Sequence, residues 1–104
     1  MKLTRFLLDD LRDIHAEVIC RSAKAAYIVL ETQRFDYYMF DHDLGSTKPG
    51  TSGYDVLKWA LENKYIPAGS IVEFVTSNPV GRQNMANQII SHGGFKRGSC
   101  YVVG

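Results

Sequence analysis

Apolar residues fall along the chain in five short runs separated by polar stretches. Runs of this length, bounded by turn-forming or acidic residues, are typical of buried β-strands. The predicted strands cover residues 3–8, 17–20, 35–40, 70–75 and 100–103. The second is the weakest prediction, because an acidic residue opens it and only three apolar residues follow.

Three amphipathic helices are predicted in the stretches between strands. Each begins at a residue whose side-chain oxygen suits a helix N-cap, namely Ser22, Ser52 and Asn78. Apolar residues then recur on one face of a 3.6-residue period. Pro79 is a further start signal for the third helix, because its fixed φ suits the first helical position. Two glycines at 93–94 end that helix.

The order of these elements predicts the fold class. Strands that alternate with helices favour parallel pairing and right-handed crossovers. We therefore expect a single doubly wound α/β domain over residues 1–104, with a mostly parallel five-stranded sheet of the flavodoxin type. The last predicted strand ends with the chain, so the final helix of such folds is expected to be missing.

Composition and charge exclude several classes of function. The formal net charge of +1 lacks the broad basic footprint of a duplex-DNA binder. No apolar run approaches the ~20 residues that span a bilayer, and the N-terminus lacks the apolar core of a signal peptide. Cys20 and Cys100 are expected to be free thiols. These features predict a cytoplasmic, monomeric protein.

Acidic residues follow two of the predicted strands directly. Asp9 and Asp10 follow the first strand, while Asp41 and Asp43 follow the third. In an open parallel sheet, ligands bind outside the carboxyl ends of the strands. Carboxylates gathered there would repel one another unless a cation joined them, and oxygen ligands suit Mg²⁺ or Mn²⁺. The four aspartates are therefore candidate metal ligands; the alternative is that each separately caps a helix or turn.

A phosphate site is predicted beside this cluster, where the fourth strand leads into the third helix. The candidate residues are Thr76, Ser77, Asn78, Gly81, Arg82 and Arg12. A helix N-terminus attracts anions, Gly81 would let a ligand approach the backbone, and Arg82 could clamp phosphate oxygens. We expect Arg82 on the side of its helix that faces Asp41. The alternative is that Asn78 only caps the helix and both arginines are surface residues.

His42 is a candidate catalytic residue because it lies between two acids. Acidic neighbours favour a protonated imidazole, which suits proton transfer near neutrality. The alternative is a loop histidine that hydrogen-bonds to a neighbouring carboxylate.

The ordered motifs resemble those of known families. An acidic pair after the first strand, Asp41 after the third and Thr76 after the fourth resemble the receiver domain of two-component signalling, whose lysine at the end of the fifth strand has no counterpart here. A closer resemblance, to the cyclic-phosphate-processing receiver family, rests on residues 8–12, 41–45, 52–55 and 77–85.

This second resemblance implies metal-dependent processing of cyclic phosphates, namely 2′,3′-cyclic phosphate RNA ends or cyclic nucleotides. Asp41 would be a catalytic residue, as a metal ligand or as a nucleophile. Where the family usually has a histidine, this chain has Val75, so His42 is the candidate to replace it. The competing interpretation is a non-catalytic receiver-like module that binds a nucleotide signal or regulates a protein partner.

Overall fold

A single sheet of six strands organises the chain, which the computed structural model describes over residues 3–104. The strands are β1 (Arg5–Leu8), β2 (Val18–Cys20), β3 (Tyr37–Phe40), β4 (Ile71–Phe74), β5 (Phe95–Arg97) and β6 (Cys100–Val102). Their order in the sheet is β2-β1-β3-β4-β6-β5. The first four pair in parallel, whereas β6 is antiparallel to both β4 and β5.

Three helices follow β2, β3 and β4 along the chain: α1 (Ala23–Thr32), α2 (Gly53–Glu62) and α3 (Pro79–Ser91). Their predicted N-caps are confirmed. Ser22 accepts from the Ala25 backbone, Ser52 forms a capping box with Asp55, and Asn78 accepts from the Gly81 backbone. None of the helices in residues 3–104 is long and apolar enough to cross a bilayer.

The hydrophobic core lies between one face of the sheet and the three helices. Alternate strand residues point into it: Phe6, Leu8, Tyr38, Phe40, Val72 and Phe74. Leu7 and Met39 are buried on the opposite face, outside that cluster. Within residues 3–104 no helix covers this second face, because an irregular segment rather than a helix joins β1 to β2.

The predicted α/β class with a mostly parallel, flavodoxin-type sheet is confirmed, whereas the three helices pack on one face rather than on both, and the sheet contains one strand more than expected. The additional strand is β5, an exposed edge strand joined to β6 by a tight turn at Gly98 (φ 63°). A hairpin reverses the chain within a few residues, so β6 returns antiparallel to β4 instead of parallel to it. A short run of one aromatic and two basic residues, Phe95-Lys96-Arg97, lacks the apolar pattern of a buried strand.

Parallel strand direction brings the candidate residues to one edge of the sheet. Asp9 directly follows β1, Asp41 directly follows β3, and Thr76 stands two residues after β4. The backbone N–H of Asp9 donates to the Cys20 carbonyl at 3.1 Å, and that of Asp41 to the Leu8 carbonyl at 2.9 Å. These bonds extend the sheet ladder by one residue and hold both aspartates firmly.

Candidate functional site

Three aspartates form the centre of the candidate site. One carboxylate oxygen from each of Asp9, Asp10 and Asp41 lies within 4.8 Å of the others. Asp9 is fully buried and Asp41 is 6% exposed, while Asp10 is half-buried. A close group of hard oxygen donors has the chemistry of a divalent-cation site, so this cluster could hold a metal.

Hydrogen bonds hold the buried carboxylate of Asp9 as an anion. Its Oδ1 accepts from the backbone N–H groups of Leu11 (2.9 Å) and Arg12 (3.0 Å), and its Oδ2 accepts from Arg12 Nη1 at 3.0 Å. Burial alone would raise the pKa of Asp9, but these bonds outweigh it and the net pKa lies below the ordinary value.

Asp41 differs from Asp9 in its balance of burial and hydrogen bonding. Its Oδ1 accepts from the His42 backbone at 2.8 Å, and its Oδ2 accepts from Arg12 Nη1 at 3.3 Å. Burial raises the pKa of Asp41, and the hydrogen bond from the Thr76 side chain offsets this only partly. Of Asp9 and Asp41, Asp41 is therefore the residue on which a negative charge is less stable.

Arg21 fixes the segment that carries Asp9 and Arg12. Its Nη1 donates to the backbone carbonyls of Asp9 (3.2 Å) and Arg12 (2.6 Å), and its Nη2 donates to the Asp13 carboxylate at 2.8 Å. Sequence reasoning missed this residue. The available signal was that Arg21 follows β2, whose end adjoins the end of β1 in a parallel sheet.

Asp43 lies at the same edge but outside the aspartate cluster. Its Oδ1 is 3.0 Å from His42 Nδ1, and its Oδ2 accepts from Asn78 Nδ2 at 3.2 Å. The hydrogen bond with the His42 side chain, together with that from Asn78, lowers the pKa of Asp43. Its carboxylate thus ties the loop after β3 to the start of α3.

The imidazole of His42 occupies the space beside Gly81. A Cβ atom at Gly81 would lie 2.5 Å from His42 Cγ, so the glycine makes room for this ring. The missing side chain of Gly81 thus accommodates a neighbouring residue, and its backbone N–H donates to Asn78 Oδ1; ligand access at Gly81 stays a prediction.

Five of the six candidate phosphate residues, all but Arg12, follow β4 along the chain. Thr76 is buried, and its Oγ1 accepts from the Asn78 backbone at 3.1 Å. Arg82 Nη2 donates to the Thr76 carbonyl at 2.7 Å, which places its guanidinium at the site edge of the sheet.

A cavity of about 540 Å³ adjoins the aspartate cluster. It is lined by Asp10, Leu11, Arg12, Asp41, Asp43, Gly45, Thr76 and Ser77. Neither His42 nor Arg82 is among the lining residues. The arrangement can therefore present carboxylate oxygens to a cation, and a guanidinium and hydroxyl groups to a small anionic ligand.

Comparison with known proteins identifies this combination of motifs. The family model described as "Cyclic-phosphate processing Receiver domain" matches residues 4–91, which contain the whole aspartate cluster and all of α3. Searches of curated proteins and of solved structures give no significant match.

Proposed function

The chain belongs to the cyclic-phosphate processing receiver domain family, and from this premise we propose that it is a metal-dependent enzyme that hydrolyses cyclic phosphates. The observation that carries the proposal is the convergence of Asp9, Asp10 and Asp41 with Arg12 beside one cavity. The substrate would be a 2′,3′-cyclic phosphate at an RNA end or in a nucleotide.

The donor set supports Mg²⁺ or Mn²⁺ as the cofactor. Asp9, Asp10 and Asp41 would hold the ion through carboxylate oxygens, the ligands that these cations prefer. When bound, the ion would supply charge stabilisation to the phosphoryl oxygens and lower the pKa of a coordinated water. The carboxylate of Asp43, engaged by His42 and Asn78, would orient neighbouring groups rather than complete the ligand set.

The chain's own cations and hydroxyls would bind the phosphoryl group. Arg12 and Ser77 both line the cavity beside the aspartates. Arg82 donates to the Thr76 carbonyl through one nitrogen and does not line the cavity, so its remaining donors would have to turn toward the cavity to reach ligand oxygens. The fixed fork of a guanidinium suits two phosphate oxygens at once.

His42 is the proposed proton-transfer residue. The Asp43 carboxylate faces Nδ1, which favours the proton on that nitrogen and leaves Nε2 as the acceptor. Hydrolysis adds water across one ring P–O bond, so a base accepts the water proton and the leaving ribose oxygen gains one. Direct attack by Asp41 is the variant, with an acyl phosphate as its intermediate.

The alternative is a binding module without turnover. One observation favours it: the His42 ring packs against Gly81 and is not among the residues that line the cavity. With Val75 in place of the family histidine, such a site would bind a cyclic phosphate and hold it, acting on a protein partner instead of a substrate.

Turnover of 2′,3′-cyclic nucleotides with added Mg²⁺ or Mn²⁺ tests the proposal, followed as formation of the phosphomonoester by ³¹P NMR. We expect turnover that stops with chelator and in Asp41→Asn. Asp36→Asn is the matched control, since Asp36 accepts from Thr4 and precedes β3, away from the site edge. Tight binding without product would favour the binding module, and neither binding nor product would refute both.

A further inference from the structure

Arg12 holds the two oxygens that a metal would need. Asp9 Oδ1 accepts from two backbone N–H groups and Asp41 Oδ1 from one, whereas Oδ2 of each aspartate accepts from the Arg12 side chain. Both Oδ2 atoms accept from the same nitrogen, Arg12 Nη1, at 3.0 and 3.3 Å. The guanidinium thus bridges the two carboxylates as a cation supplied by the chain.

We infer that Arg12 is a tethered cation that competes with the metal for Asp9 and Asp41 and, once displaced, binds the phosphate of the ligand. This inference rests on the metal site of the proposed function and adds its regulation.

The metal and the guanidinium would compete for the same carboxylate charge. Mg²⁺ binds carboxylate oxygens at about 2.1 Å. Because Arg12 Nη1 is within 3.3 Å of both Oδ2 atoms, an ion bonded to both atoms would lie within about 5 Å of that nitrogen. In a partly buried site two positive charges at such separation repel strongly. This repulsion would drive the guanidinium away from the aspartates when a metal binds.

The backbone of Arg12 is held by hydrogen bonds, whereas its side chain is partly exposed to solvent. Its N–H donates to Asp9 Oδ1 at 3.0 Å, and its carbonyl accepts from Arg21 Nη1 at 2.6 Å. The side chain, by contrast, is 39% exposed and lines the cavity. Rotation about side-chain bonds is enough to move the guanidinium from the aspartates into the space where a phosphate would lie.

Coupling between metal and phosphate follows from this exchange. In the metal-free protein the Arg12 guanidinium donates to Asp9 and Asp41, so it is not free to bind phosphate. The metal frees it, and by linkage phosphate must tighten metal binding by the same factor. The site would therefore bind phosphate well only after a cation has bound, because the cation offsets the repulsion between the aspartates and an anionic ligand.

Mn²⁺ affinity in Arg12→Gln, measured by electron paramagnetic resonance, tests the competition without reference to turnover. Removing the competitor should tighten Mn²⁺ binding by about tenfold or more, the scale of one charge-assisted hydrogen bond. The same variant should lose the Mn²⁺-dependent gain in affinity for inorganic phosphate measured by calorimetry. Arg34→Gln is the matched control, because Arg34 contacts the Leu30 carbonyl and the Tyr65 ring, remote from the aspartates.

Each outcome decides between the two proposals. Tighter Mn²⁺ binding in Arg12→Gln, with Arg34→Gln unchanged, supports the inference. Equal or weaker binding in Arg12→Gln overturns it and leaves the metal site standing, whereas no Mn²⁺ binding in either protein refutes both. A measurement on the parent chain guards against misfolding of the variant: Mg²⁺ saturation should abolish the slow guanidinium proton exchange of Arg12 in NMR spectra. Unchanged exchange would equally overturn the inference.

Discussion

Gly53→Ala is the most informative single substitution, because Gly53 lies where α2 contacts the backbone of the site residue Asp41. Gly53 is the first residue of α2, and its N–H donates to the His42 carbonyl at 2.8 Å. A Cβ atom there would lie 1.6 Å from the backbone oxygen of Asp41 and 2.7 Å from its carbonyl carbon. Backbone cannot rotate aside as a side chain can, so either α2 or the strand end must shift.

The expected cost is at the upper end of overpacking in a core, about 3 kcal/mol. For a domain of this size that corresponds to a Tm lower by roughly 12–24 °C. Urea unfolding followed by circular dichroism measures the free energy of unfolding. Mn²⁺ affinity should fall in parallel, since the displaced backbone carries Asp41.

Gly81→Ala is the matched control for this reasoning. It also places a methyl group in a closed space, but the obstructing atoms belong to the His42 side chain: rotation of the ring can relieve the contacts with Cγ and Cδ2, and only the contact with Cβ at 2.9 Å requires a small backbone shift. Alanine gains about 1 kcal/mol of helix propensity over glycine, so the net change should stay within about 1 kcal/mol. If Gly53→Ala cost no more than Gly81→Ala, the close approach of α2 to the Asp41 backbone would be refuted.

Three further predictions concern charge and hydrogen bonding. Asp41→Asn should keep or raise the free energy of unfolding, because burial disfavours the Asp41 charge, while Mn²⁺ binding weakens; a large loss of stability would contradict this. Arg82→Ala should change stability by less than ~0.5 kcal/mol and weaken phosphate binding by ~1.5–3 kcal/mol, which calorimetry would measure. Tyr38→Phe should cost about 1–3 kcal/mol, because the buried hydroxyl accepts from the Phe35 N–H at 2.9 Å. Burial raises the pKa of Tyr38, so its contribution is complete below pH ~10 and is lost as pH rises through the raised pKa; alkaline unfolding of Tyr38→Phe should be less steep.

Local sequence signals predicted the elements well because the physics behind them is local. The N-caps Ser22, Ser52 and Asn78 act on backbone groups a few residues away, and all three were found. Strand direction then placed Asp9 and Asp41 at one edge, because parallel strands share their carboxyl ends. That much of the site follows from pattern and topology.

The pairing of side chains within the site could not be predicted in the same way. Arg12 faces the aspartates, and Asp43 turns to His42 and Asn78, because of rotamers that only packing decides. Arg21 reaches across nine to twelve residues to a loop with no periodic pattern of its own. The edge strand β5 was not predicted either. Its exposed basic residues are typical of a loop, and the sequence does not show the strand with which they pair.

Asn78 limits how this sequence can evolve. As a helix cap alone, it could be exchanged for serine, threonine or aspartate at little cost. Its amide, however, accepts from Gly81 through Oδ1 and donates to Asp43 through Nδ2. Serine is too short to do both, and aspartate would set a second negative charge against Asp43. Substitutions of Asn78 that preserve α3 would therefore still release the loop that carries His42. We expect such substitutions to impair function before they impair folding.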